Sequence, residues 1–319
     1  MRLGFAVKIL GKEGIKSHDA RRWQNSPHLR FSIEYAHGVF DYLEETGISM
    51  YRFSSDFAPY LTHPDMPQFH AQIEEAQEDL IALGKRAQAL NLRLSFHPSQ
   101  YILLNSPNEK LTQGSIREFV AASTMLDLLG CGPEGVVVTH VGGLYGDREG
   151  SRARFIRHFN EQLPEVARKR LVLENDDDSF GVADTLKIHE ETGIRLIFDH
   201  QHHSCINDGS LTHEEACCAS LATWGSNGRP KIHFSSPRIE NRTIRRMDKA
   251  SGKKKDFEAP PLLSQHADMI DADVFIPFAR KLREMGCPEF DVMCEAKSKD
   301  LAVFQLKEDL RAAGDFFVE

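Results

Sequence analysis

The hydrophobic positions of this chain follow two alternating rhythms. Eight short runs rich in β-branched or aromatic residues predict strands at 3–9, 48–53, 92–96, 135–139, 170–173, 194–198, 231–234 and 290–294. Between them lie stretches of helical period, predicting helices at about 33–46, 68–90, 114–130, 151–168, 180–192, 212–223, 273–286 and 297–314. The clearest is 68–90, where Ile73, Ala76, Leu80, Leu83 and Ala87 line one face. Strands and helices alternate with no linker and no break in composition. That predicts one domain over 1–319, of the α/β class, as a single (β/α)8 TIM barrel. An open doubly wound sheet is the competing arrangement, but no GxGxxG follows the first strand. Three connections are long: 54–67, 98–113 and 235–272. Each follows a strand, which assigns it to the C-terminal face, where barrels keep their active sites.

Composition narrows the function classes. The 39 basic residues stand against 47 acidic ones, a net charge of −8, which excludes a globally basic nucleic-acid coat but not a local basic patch. No stretch approaches the roughly 18 apolar residues of a membrane span, and Met1 leads directly into a strand-like run, so no membrane partner and no secretory signal are expected. The six cysteines (131, 205, 217, 218, 287 and 294) form no CxxC pair and no disulfide-framework spacing. They are expected as buried thiols of a cytoplasmic protein. The fifteen histidines are the unusual feature.

Many of these histidines fall at predicted strand ends. Strand 3 ends in SFHPSQY with His97, strand 4 in VTHVGG with His140, and strand 5 in VLEND with Glu174. Strand 6 ends in FDHQHH with Asp199 and then His202, and strand 8 in MCEAK with Glu295. Strand 7 reads KIHFSS, and its period of two puts Lys231 and His233 on one side. Strand 2 leads to His63 in SSDFAPYLTHPD, and QHAD near 268 offers His266 and Asp268. Taken singly, a histidine at a strand end is usually a hydrogen-bonded structural residue. Taken together, carboxylates and imidazoles packed this closely require a compensating cation. The mixed N/O set suits Zn²⁺ or Mn²⁺ and exceeds what one tetrahedral ion uses, so two or three ions are expected.

Such a centre favours phosphate-ester hydrolysis, because bound ions activate water, clamp non-bridging oxygens and stabilise the leaving alkoxide. Lys231 is out of place among cations. It must be deprotonated, salt-bridged to Glu295 or Asp199, or chemically modified. The 235–272 connection carries Arg238, Arg242, Arg245, Arg246, Lys249, Lys253, Lys254 and Lys255, a cationic patch beside the predicted centre and of the kind that binds phosphate backbones.

The ordered set SFHPSQY, THVGG, LEND, FDHQHH, KIHFSSPR, QHAD and CEAK resembles the UV damage endonuclease (UvdE) family, from about Arg2 to Gly314. The combination is specific, although no single motif is. The resemblance implies a TIM-barrel DNA-repair endonuclease that nicks damaged double-stranded DNA immediately 5′ to cyclobutane pyrimidine dimers, (6-4) photoproducts and abasic sites, leaving 3′-hydroxyl and 5′-phosphate ends. It implies a manganese cofactor in a two- or three-ion cluster, with Zn²⁺ or Mg²⁺ as substitutes. By motif position, His97, His140, Glu174, Asp199, His202, His233, His266 and Glu295 are metal ligands, and Lys231, His63 and His266 are catalytic. Lys231 matches a lysine that carries a carboxyl group in the family. Gln100 and Tyr101 match the pair that probes the damaged dinucleotide, with Arg238, Arg242, Arg245, Arg246, Lys253, Lys254 and Lys255 contributing to DNA binding. The chain departs from the family pattern after strand 1, where Lys8-Ile9-Leu10 and a long HDARRWQNSP excursion replace a polar, often Asn-containing segment. A monomer in the cytoplasm, at the nucleoid when on DNA, is expected. Three competing readings share the motifs: an abasic-site endonuclease without photoproduct activity, a sugar isomerase or epimerase on the same barrel, and a DNA-binding module with a structural metal.

Overall fold

The computed structural model describes residues 1–207, 209–247 and 252–314. Its ten strands are β1 (Leu3–Ala6), β2 (Met50–Arg52), β3 (Arg93–Phe96), β4 (Val136–His140), β5 (Leu171–Glu174), β6 (Arg195–Ile197), β7 (Lys231–Phe234), β8 (Arg242–Met247), β9 (Lys254–Ala259) and β10 (Asp291–Cys294). Eight form one parallel sheet in the order β6-β5-β4-β3-β2-β1-β10-β7. Its two edges meet where Asp199 bridges His233, with His233 N–H donating to the Phe198 carbonyl at 2.9 Å. The sheet thus curls into the predicted TIM barrel, with helices of the alternating pattern around it.

Strand periodicity divides the side chains between two cores. Leu94, Phe96, Val137, Leu171, Leu173, Leu196, Ile232, Phe234 and Val292 face outward and join the helices in the main hydrophobic core. The opposite parity faces the barrel axis. There Val136, Val138, Val172, Ile197 and Trp224 form a separate cluster. Trp224 seals the floor, fully buried, its Nε1–H donating to the Leu196 carbonyl at 2.7 Å. The guanidinium groups of Arg195 and Arg93 lie over its ring at 4.7 and 5.7 Å. Arg93 is in turn paired with buried Asp291 at 2.7 Å.

Four expectations are corrected. The 68–90 helix breaks into a 3-10 turn (Pro67–Phe69), a single turn (Gln72–Glu75) and the helix Gln77–Ala89. The cause is buried Gln72, whose amide accepts from Leu29 N–H and donates to the Pro59 and Phe69 carbonyls, pinning this turn to its neighbours. The 151–168 helix ends at Glu161, and Pro164 starts a separate turn, Glu165–Arg168. The 235–272 connection is not irregular throughout, because β8 and β9 pair within it as an antiparallel hairpin. Lastly, Cys218 and Cys287 form a disulfide, while Cys131, Cys205, Cys217 and Cys294 are thiols. A separation of 69 residues carries no local signature, and only the tertiary fold brings these two Cα atoms to 5.2 Å.

The floor is expected to be the stability-critical layer. Trp224→Ala should cost about 3–5 kcal/mol, the range for emptying a large aromatic site, because the cavity would also leave two buried guanidinium groups without their ring. Urea unfolding measures it. A loss below about 1 kcal/mol would show that the floor collapses without strain.

Candidate metal centre

The axis-facing parity that fills the floor with apolar groups ends on the C-terminal rim in polar ones. Continuing it past Ser95, Ile197 and Met293 brings in His97, Asp199 and Glu295; within β4, β5 and β7 it reaches His140, Glu174 and His233. Asp199 also caps a short helix, His200–Ile206, accepting from His202 N–H at 2.8 Å. That cap aims the His202 ring back toward the rim, where Nδ1 lies 2.9 Å from the Asn175 carbonyl.

Glu174 is the hub. Its Oε2 lies 3.1 Å from His97 Nε2 and 3.6 Å from His140 Nε2. Its Oε1 lies 2.8 Å from His233 Nδ1 and 3.6 Å from His202 Nδ1. Glu295 stands 3.3 Å from His233 Nδ1 and is ion-paired with Arg52. Asp199 Oδ1 lies 3.8 Å from His202 Nδ1. Glu174 and Asp199 are almost wholly withdrawn from solvent.

These surroundings push the groups in different directions. Burial would raise the Glu174 carboxyl, but His233, His140 and His97 hold it well below the usual carboxylate range. For Glu295 burial is likewise overcome, by Arg52 and His233, and its carboxyl is lowered. Burial dominates at Asp199, which rises to about 6, and at His140, which falls to about 4. His202 is lowered by burial but raised more by Asp199, Glu174 and Glu295, reaching about 10. Neighbouring imidazoles and carboxylates of the centre are thus pulled in opposite directions by burial and by one another.

The donor set fits a divalent ion. His140 Nδ1, Asp199 Oδ2 and His233 Nε2 are buried without a hydrogen-bond partner. Three groupings bring ligand atoms within 4.8 Å of one another: His97–Glu174–His233, Glu174–Asp199–His202 and Asp199–His233–Glu295. Their shared members, Glu174, Asp199 and His233, suit adjacent ions with common ligands. His266 reaches the same rim, its Nδ1 2.6 Å from the Glu295 carbonyl and its ring 6.5 Å from that of His202.

Other sequence-predicted residues are placed differently. Lys231 is fully buried beneath His233, and its Nζ donates only to Ser95 Oγ, at 3.1 Å. The expected alternative of a salt bridge to Glu295 or Asp199 is absent among the described residues. Burial, reinforced by Arg93 and Arg52, lowers its pKa well below that of an ordinary lysine. His63 lies on the 54–67 loop with Nδ1 accepting from Asp65 N–H at 3.2 Å and its ring beside Tyr60, and it touches none of the clustered groups. Gln100 and Tyr101 project from the loop after His97, Tyr101 with 79% of its surface exposed. Arg238, Arg242, Arg245, Arg246, Lys253, Lys254 and Lys255 lie on or beside the β8–β9 hairpin, and Lys249 lies outside the described residues.

Two contributors escape sequence reading. Arg52 shares the axis-facing parity of Met50, so the period of strand 2 could have exposed it, but no motif marks it. Asn175 sits inside LEND yet points sideways. Its amide donates to the Asp199 carbonyl at 3.0 Å and accepts from Asp199 N–H at 2.9 Å, fastening the ends of β5 and β6 together.

Comparison with known proteins identifies the family. The family model for UV-endonuclease UvdE matches residues 30–316. The UV DNA damage endonuclease of Bacillus velezensis is 32% identical over 272 residues, covering 85% of this chain and 78% of that one. The Bacillus pumilus enzyme of the same name is 34% identical over 266 residues, covering 83% and 76%. The crystal structure of SacUVDE superposes with a TM-score of 0.82 at 28% identity, over 99% of this chain and 100% of that one. Endonuclease IV from Thermus thermophilus, at 16% identity and a TM-score of 0.56, shares the fold. With its barrel, its rim of histidines and carboxylates and its relatives in agreement, the chain belongs to the UV-endonuclease UvdE family of DNA-repair nucleases.

Proposed function

We propose that this protein incises double-stranded DNA immediately 5′ to cyclobutane pyrimidine dimers, (6-4) photoproducts and abasic sites, by hydrolysis at a centre of two or three divalent ions, with Mn²⁺ the first choice. The observation that carries the reading is Glu174, whose two oxygens face four imidazoles in a buried site. His97, His140, Glu174, Asp199, His202, His233, His266 and Glu295 would hold the ions. Bound there, they would activate water and neutralise charge on the phosphate. The P–O3′ bond breaks as the water oxygen bonds to phosphorus, and the departing O3′ is protonated, giving 3′-hydroxyl and 5′-phosphate ends. The chain's own groups prepare this step. Arg52 orients Glu295, Asn175 sets Asp199 and His202, and the Nδ1 contact of His266 fixes its ring so that Nε2 faces elsewhere. His63 would meet the substrate from the 54–67 loop. One barrel suffices for all of this, and the protein would act as a monomer in the cytoplasm, at the nucleoid.

Lesion recognition needs no sequence reading. Photoproducts and abasic sites share weakened stacking and a lower cost of kinking, which an enzyme can read as energy. Tyr101 supplies a flat face for the vacated stack and Gln100 supplies hydrogen-bonding groups for exposed base edges. Burial of Lys231 favours its neutral amine, the form that adds CO₂ to give a carbamate and a released proton. The modification would place an anion close beneath the centre.

Three outcomes test these proposals. End-labelled duplexes carrying one defined photoproduct or one abasic site should be cut 5′ to the lesion. Chelation should stop cutting and Mn²⁺ should restore it, while Glu174→Gln should lose both incision and metal content. Cutting of the abasic duplex alone would establish the narrower abasic-site activity, and full metal occupancy in an active Glu174→Gln would remove the bridging role. Lys231→Arg should be nearly inactive despite conserving charge, and the intact mass under non-acidic conditions should exceed the sequence mass by one CO₂. An unmodified mass with an active Lys231→Arg would dispose of the carbamate. Replacing both Gln100 and Tyr101 with Ala should lower affinity for photoproduct duplexes by about 1–3 kcal/mol, the range for a lost stacking contact, with metal content intact. An unchanged ratio of damaged to undamaged affinity would eliminate the probe.

A further inference from the structure

The β8–β9 hairpin has two chemically different faces. In an antiparallel ribbon, directly opposed residues point to the same side, and the side alternates along the strand. The register pairs Arg242 with Ala259, Ile244 with Phe257 and Arg246 with Lys255 on one face. It pairs Thr243 with Glu258, Arg245 with Asp256 and Met247 with Lys254 on the other. Among the described strand residues the first face holds three basic side chains and no carboxylate. The second holds two basic and two acidic side chains, with Arg245 Nε 3.8 Å from Asp256 and Thr243 donating to Glu258 at 3.2 Å. All the net charge of the ribbon's strands therefore lies on one side.

That side also carries the ribbon's partly buried residues. The Arg246 guanidinium lies 4.9 Å over the Phe257 ring, and Arg242 Nε donates to the Pro260 carbonyl at 3.2 Å. Ile244, Phe257 and Ala259 are half-buried between them, whereas every residue of the opposite face is exposed. The ribbon forms a two-stranded sheet of its own, with no strand pairing to the barrel among the described residues. Its base is tied to the centre. Pro237 bridges His266, Arg238 N–H donates to the Gln265 carbonyl at 2.7 Å, and Gln201, beside His202, donates to the Leu263 carbonyl at 2.7 Å.

From these observations we infer that the ribbon is an arm that lays its Arg242–Arg246–Lys255 face on the duplex beside the incision point, with the Arg245–Asp256–Glu258 face turned to solvent. The face that carries the net positive charge of the described strand residues suits a phosphate backbone, and a two-stranded ribbon is of a size that the major groove admits. The inference rests on the DNA reading above but assigns something that reading leaves open, namely which face of the cationic patch makes the contact.

Two matched variants separate a directed face from diffuse charge. Arg246→Gln with Lys255→Gln and Arg245→Gln with Lys254→Gln each remove one arginine and one lysine, so both change the net charge equally. Affinity for a lesion-bearing duplex is measured across a salt series, with metal content and circular dichroism confirming intact protein. The first variant should flatten the slope of log K against log salt by about 2, since each lost phosphate contact is worth about 0.9. The second should flatten it by less than half as much. Equal changes, or a larger one in the second variant, would overturn the arm. The two readings fail separately. A wild-type protein that cuts lesions while both variants behave alike sinks only the arm. Conversely, a wild-type protein that binds duplex with the expected asymmetry yet cuts no lesion sinks only the repair reading.

Discussion

Glu174, Asp199 and Glu295 share a nearly dry space with four imidazoles, and the rest of the structure is arranged around that concentration of polar groups. A carboxylate withdrawn from water is costly unless it is paired and hydrogen-bonded. Here the pairing is only partial. Three buried atoms have no hydrogen-bond partner among the described residues, and the surroundings drive Asp199 up while they drive Glu174 down. A set of groups that cannot satisfy itself is well prepared to bind cations and poorly suited to serve as a mere core.

Holding such a set requires a rigid support, which the barrel supplies in two layers. Below, Trp224 between two guanidinium groups and the pair of Arg93 with Asp291 close the floor. Above, the sheet closes through Asp199 and His233 themselves, so the last bridge of the barrel lies within the candidate centre. Asn175 strengthens that closure from β5, with both of its amide atoms on the Asp199 backbone. Fold closure and site assembly are thus one event here, and a disturbance of either reaches the other through a single residue.

On the proposed function, the loops would divide the work of meeting DNA. The segment after His97 presents Tyr101 almost fully exposed, while the connection after β7 folds its own ribbon. Both are rooted beside candidate ligands, His97 and His266. A duplex bent at a weakened step can present its disturbed stack to the first and its backbone to the second. Neither contact reads bases in order, which accords with proposed substrates that have deformability in common rather than sequence.

Much of this was legible in the chain alone, for identifiable reasons. Strand parity follows from a period of two, so His97, His140, Glu174 and His233 are assigned to one rim as soon as the strands are recognised, and the βα alternation makes that rim the C-terminal face. The ordered motifs carried the family. Local chemistry misled wherever a distant partner intervened. Gln72 breaks a helix that its periodicity predicts, because its amide is shared among Leu29, Pro59 and Phe69. Charge counting treated the 235–272 cations as one patch, because only pairing register separates Arg246 from Arg245. Sequence left three fates open for Lys231, and the barrel interior removed the salt bridge by placing Ser95 rather than a carboxylate beside its Nζ. Composition and period thus determined the barrel, the rim and the donor types. Three-dimensional packing alone decided which donors converge on Glu174, that Cys218 meets Cys287, and that Arg52 and Asn175 hold the centre in place, since each depends on contacts between residues far apart in the chain.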